Sequence, residues 1–141
     1  MMKVKELLRS KRISVFFNEI NILLQIASII VYAVNAIRLK EFNANVIIFL
    51  VLAILLEGIY VCVSHSMADI SCAVACVMIT MAIGRLAVAS IGTFADVLNG
   101  ITMFGSSGEL GYVIALLIMM GISLLIEIIS CFMSRDLRED K

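Results

Sequence analysis

The sequence predicts an all-α integral membrane protein with four transmembrane helices and both termini on the cytoplasmic side. Three observations support this prediction. Hydrophobic residues make up 62% of the 141 residues and charged residues 16%, against about 45–50% and about 25% in soluble domains. Four apolar stretches of 18 to 23 residues match the roughly 20 residues that a spanning helix needs. Of the eleven Lys and Arg residues, five precede residue 13 and three follow residue 134.

The apolar stretches define a single four-helix membrane domain over residues 1–141. A soluble chain of this size buries only about two thirds of its surface, so this composition would expose large apolar patches in water. Polar or Gly-containing segments separate the stretches. The predicted spans are residues 20–37, 44–63, 70–91 and 111–133.

The basic residues predict the orientation, because Lys and Arg near span ends favour the cytoplasm. Four crossings place both tails on one side, and the tails hold eight of the eleven basic residues. The segment 92–110 contains no Lys or Arg, as expected of an outer loop. We therefore expect a multi-pass protein of the plasma or bacterial inner membrane. The run from Lys3 to Arg12 is either an amphipathic segment on an anionic membrane surface or a solvated tail.

The first span carries a stripe of polar residues on one helical face. They follow one another at spacings of three or four, which places them on a single side of a helix. Polar groups in hydrocarbon need partners, so this face should contact protein or water. This face forms either a hydrogen-bonded interface between helices or the lining of a water-filled or substrate-filled path. The stripe consists of Asn18, Asn21, Gln25, Ser28, Tyr32 and Asn35.

Two carboxylates lie within the spans at matching depths. Glu57 and Glu127 each precede the inner end of their span by six residues, which is about 9 Å. Gln25 reaches nearly the same depth from the first span. Buried carboxylates without a cation are costly unless they bind a proton or a small cation. The three residues are therefore a candidate proton or cation site, and the alternative is a set of protonated packing groups.

The outer side has two charged candidates. Arg85 lies about 9 Å below the outer boundary, roughly 12 Å from the carboxylate level. We expect it to extend toward outer lipid headgroups or to pair with Asp96, in preference to binding a substrate.

The loop around Asp96 has apolar residues at helical spacing, including Phe94, Ile101 and Phe104. This pattern predicts a short helix that lies in the outer interface or enters the bundle. Ser106 and Glu109 have the spacing of a capping box at the start of the fourth span.

The four cysteines all fall in the inner half of the predicted bundle. Cys72 and Cys76 are one helical turn apart, which is not the spacing of a redox pair. We expect small packing residues with no disulfide and no bound metal. The less favoured alternative is a soft-metal site that includes His65. The other two cysteines are Cys62 and Cys131.

These features favour a transport- or channel-related component with a proton or cation site. The alternative is a non-catalytic structural or assembly subunit that docks through the polar face of the first helix. We expect no enzyme and no cofactor, because the chain has one His and no Ser, His and Asp set. The basic run lacks the groove-reading residues of nucleic-acid binding. Expected partners are the lipid bilayer and further copies or a larger membrane subunit, since four helices enclose little space.

Overall fold

The computed structural model describes most of the chain. It covers residues 2–39, 42–62, 68–101, 103 and 110–132. Side chains are described for residues 16–38, 42–62, 70–101, 103 and 110–132. The predicted capping box, His65 and the charged side chains of both tails lie outside these residues.

Within the described part of the chain, the regular structure is entirely helical. The helices are α1 (Met2–Leu39), α2 (Ala44–Cys62), α3 (Ala68–Ala89), α4 (Ile91–Asn99) and α5 (Leu110–Phe132). Four segments are long and apolar enough to span a membrane: Phe16–Arg38, Ala44–Cys62, Ile70–Ala89 and Leu110–Phe132. The prediction of four helices that are long and apolar enough to span a membrane is confirmed, and their ends differ from the predicted ones by at most four residues.

The four long helices form a closed ring. α1 packs against α2 and α5, and α3 packs against the same two helices. α2 and α5 are therefore diagonal to each other. Inward side chains of α2 and α5 meet at the bundle axis, as in other four-helix bundles. We call the end where α2 and α5 finish the carboxylate end, and the opposite end the cavity end.

The bundle interior is apolar in its middle. The buried cluster there includes Leu50, Ala82, Leu86, Leu116 and Met120. Small alanines on the helix faces let backbones approach closely, as membrane helices commonly do. The outer surface carries many exposed aliphatic and aromatic side chains. This surface is compatible with a multi-pass protein surrounded by lipid.

The polar stripe of α1 faces into the bundle. All six of its side chains are buried, whereas Leu23, Ile26 and Ile30 on the other side are exposed. The spacing of the stripe thus identified the inward face of α1.

The third span ends two residues before the predicted boundary. Ser90 interrupts the helix with φ −96° and ψ 3°, and its hydroxyl donates to the Leu86 carbonyl at 2.8 Å. The predicted short helix follows as α4. Thr93 and Asp96 of α4 are buried, and Leu98 is largely exposed. α4 thus turns Thr93 and Asp96 toward the protein, whereas Ile91 and Leu98 face away from it.

Candidate proton or cation site

Two carboxyl groups meet inside the carboxylate end of the bundle. Glu57 on α2 and Glu127 on α5 are both completely buried. Their helices are diagonal neighbours across the axis, so inward side chains at one depth converge. An oxygen of each carboxyl group lies 3.0 Å from the same nitrogen, Asn21 Nδ2. α1 packs against both helices and adds Asn21 and Gln25, which are also completely buried.

Asn21 holds the two carboxyl groups together. Its Nδ2 donates to Glu57 Oε1 and to Glu127 Oε2, both at 3.0 Å. Its Oδ1 accepts a hydrogen bond from Ser123 Oγ at 2.7 Å. One amide side chain therefore joins α1, α2 and α5 at a single point.

Further polar contacts surround this core. Gln25 Nε2 donates to Glu57 Oε1. Ser130 Oγ donates to Asn18 Oδ1 at 2.8 Å, which forms a second polar link between α1 and α5. The Ser28 hydroxyl differs, because it donates to the Leu24 carbonyl of its own helix at 2.9 Å.

Three buried polar atoms of the cluster have no hydrogen-bond partner among the residues that the structure describes. They are Glu57 Oε2, Gln25 Oε1 and Asn18 Nδ2. A buried polar atom without a partner is costly. Two of these atoms are oxygens on neighbouring side chains that can ligate a small cation, and the carboxylate oxygen Glu57 Oε2 can also take up a proton.

No side-chain cation neutralises the pair within the described part of the chain. The cationic side chains described are Arg38 and Arg85, and both are exposed. Arg38 lies at the cavity end, where it donates to the Tyr112 hydroxyl at 3.3 Å. The roles proposed for Arg85 and Asp96 on the outer side stay predictions.

The expectation of unpaired cysteines is wrong for two of the four. Cys72 of α3 and Cys131 of α5 form a disulfide, with their Cα atoms 6.0 Å apart. Cys62 and Cys76 are free. Helical spacing gave the depth of each cysteine but could not show that α3 and α5 are neighbours. Cys72 also places its sulfur 3.2 Å from Glu127 Oε1, a contact that the sequence did not indicate.

A cavity of about 250 Å³ lies at the opposite end of the bundle. Its polar lining includes Tyr32 and Asn35 from the α1 stripe, together with Asn43, Ser90 and Thr93. The Tyr32 hydroxyl accepts a hydrogen bond from the Asn43 backbone N–H at 3.0 Å. Sequence reasoning missed this cavity, because the position of the segment around Asn43 depends on tertiary packing.

Comparison with protein families, with curated proteins and with solved structures gives no match to this chain.

Proposed function

We propose that this protein is a transport- or channel-related membrane component in which Glu57 and Glu127 bind a proton or a small cation. The supporting observation is the meeting of two buried carboxyl groups, held by Asn21, with no cationic side chain described nearby. Burying even one charged carboxylate costs several kcal/mol. A bound proton or cation removes much of that cost and the repulsion between the two groups.

The cavity supplies a starting point for an access path. It opens at the end opposite to the carboxyl pair and is separated from the pair by an apolar layer. Leu86 and Leu116 line the cavity and also belong to that layer, which continues to Leu50 and Met120. Because this layer blocks water, we infer that the path is gated and is not a permanently open pore.

We further infer the orientation and environment from charge and exposure. Both termini face the cytoplasm of a plasma or bacterial inner membrane, since the tails hold most of the basic residues. α4 then lies in the outer interface, where Leu98 and Ile101 contact lipid. The narrow interior favours a homo-oligomer or a larger membrane complex.

The alternative function, a structural subunit that docks through the α1 stripe, has less support. The stripe is buried within the chain's own bundle, so it offers no free polar face to a partner. Asn18, Asn21 and Gln25 already bond to α2 and α5.

A flux measurement in liposomes tests the proposal. With a potassium diffusion potential imposed, we expect the wild-type protein to carry protons or sodium ions into the lumen, followed by ion-sensitive dyes. Glu57→Gln and Glu127→Gln should each abolish this flux, because an amide cannot take up a proton or balance a cation.

Glu19→Gln is the matched control. Glu19 lies on the same stretch of α1, next to Asn18, but its side chain is exposed. Its substitution should leave the flux unchanged. Circular dichroism of each variant verifies that the helices form. Wild-type liposomes that carry neither ion, or folded glutamine variants with wild-type flux, would argue against the proposal.

A further inference from the structure

A second cluster of metal-binding groups lies beside the carboxyl pair. Cys72, Glu127 and Cys131 place their ligand atoms within 4.8 Å of one another. Cys76 adds its sulfur, 3.9 Å from the sulfur of Cys131. Two sulfur atoms and one carboxylate thus form a compact group between α3 and α5, and the Cys76 sulfur lies beside this group.

We propose that Cys72, Cys76, Cys131 and Glu127 bind one thiophilic divalent cation of the zinc class when the Cys72–Cys131 disulfide is reduced. The proposal does not rest on ion transport by the protein. Thiolates and carboxylates are ordinary zinc ligands, and three or four protein ligands in a tetrahedral arrangement are typical.

The spacing along both helices fits a shared site. Cys72 and Cys76 are four residues apart on α3, and Glu127 and Cys131 are four residues apart on α5. Residues at this spacing lie one above the other on one helical face, the arrangement by which a single helix presents two zinc ligands. Two such pairs face each other on adjacent helices. Cysteines that serve only to pack the helices would have no reason to share this spacing on both helices.

The distances fit as well. With zinc–sulfur bonds of about 2.3 Å and zinc–oxygen bonds of about 2.1 Å, tetrahedral ligand atoms lie about 3.6–3.8 Å apart. The Cys76 and Cys131 sulfurs are 3.9 Å apart, and the Cys72 sulfur is 3.2 Å from Glu127 Oε1. Small side-chain rotations bring both distances to the tetrahedral value. When the disulfide is reduced, the Cys72 and Cys131 sulfurs separate, and this third distance can also reach the tetrahedral value.

Reduction controls the site because a disulfide sulfur is not a thiolate. A dithiol reductant gives two electrons and two protons to the Cys72–Cys131 bond and becomes a disulfide itself. Cys72 and Cys131 are then thiols. Each cysteine sulfur that binds the metal releases its proton.

Cobalt(II) titration of the purified protein in lipid nanodiscs tests this proposal, since cobalt bound to thiolates has charge-transfer absorption. We expect the dithiol-reduced wild type to bind one cobalt ion per chain with that absorption, and zinc to displace it. The oxidised protein should show no such absorption. Cys76→Ser should lose about one third of the intensity, because two thiolates remain of three.

Cys62→Ser is the matched control, since Cys62 is a free and exposed cysteine on α2. It should behave as the wild type. Glu57→Gln should also bind cobalt normally, because Glu57 is not a proposed ligand, so this variant separates metal binding from ion flux. Cys76→Ser keeps both disulfide partners and can therefore be purified in the oxidised, folded form. Reduced wild type without thiolate–cobalt absorption, or unchanged absorption in Cys76→Ser, would overturn the proposal.

Discussion

Asn21 connects three helices through one side chain. Its amide donates to carboxyl groups on α2 and α5 and accepts from Ser123, all in a completely buried position. Each of these groups loses a partner if the amide is removed. Most of the lost stability then comes from the buried groups that no longer have a hydrogen-bond partner.

Asn21→Ala should therefore lower the free energy of unfolding by about 1–3 kcal/mol. Thermal or denaturant unfolding in detergent measures the change. Ser28→Ala is the control on the same helical face, because its hydroxyl bonds only to its own helix, and it should cost less than about 0.5 kcal/mol. Equal stability of the two variants would show that the Asn21 hydrogen bonds contribute little.

Single residues show how far the sequence could predict this site. The spacing of the α1 stripe gave its inward face, and the positions of Glu57 and Glu127 gave a common depth. The sequence could not predict that Asn21 bridges the two carboxyl groups. Periodicity defines the face and the depth of a residue but not its neighbour on the next helix. The same reason explains the unexpected disulfide between Cys72 and Cys131.

The short helix α4 ends in a well-defined stop. Gly100 has φ 64°, in the left-handed region. Its N–H donates to the Val97 carbonyl at 3.4 Å, and the Ile101 N–H donates to the Asp96 carbonyl at 3.1 Å. These two bonds form a Schellman motif, which satisfies carbonyls at a helix end. A side chain at position 100 strains this conformation.

Gly100→Ala should lower the free energy of unfolding by about 1–2 kcal/mol, the cost of placing an L-residue in the left-handed region. Gly58→Ala is the matched comparison, because Gly58 lies within α2 and an added methyl group meets no atom within 4 Å. It should be neutral or stabilising by up to about 1 kcal/mol. The same unfolding assay measures both. A loss in Gly58→Ala equal to that in Gly100→Ala would contradict this explanation.

At the level of whole elements, hydropathy predicted the spans well because length and apolarity decide them. It could not locate the break at Ser90, since the sequence is apolar on both sides of this residue. The break depends on local backbone geometry and on the bond from the Ser90 hydroxyl to the Leu86 carbonyl. Average hydropathy is insensitive to both.

The whole molecule is organised by the order of its helices around the ring. The order α1, α2, α3, α5 makes α2 and α5 diagonal, which brings their glutamates to the axis. Four apolar segments of similar length permit other orders. The sequence therefore predicted four spans and a shared carboxylate depth but not the convergence of the carboxyl groups on the axis.

Orientation is a property of the whole molecule and is open to a direct test. A green fluorescent protein fused after Lys141 should fluoresce in a bacterial host, because the orientation that we propose from the eight basic residues of the tails places both tails in the cytoplasm. Alkaline phosphatase, which is active only outside the cytoplasm, should be inactive at that site and active when fused after Met103. The reverse pattern of the two reporters would contradict the inferred orientation.

The central proposal is that Glu57 and Glu127 together bind a proton or a small cation, and infrared difference spectroscopy in lipid tests it most directly. A change of pH or of sodium concentration should alter carboxyl bands that are lost in the Glu57→Gln/Glu127→Gln double variant. Each single variant should shift the remaining band, because the two groups interact, and Glu19→Gln should leave the spectrum unchanged. Carboxyl bands of the two glutamates that respond to neither pH nor sodium would contradict the proposal.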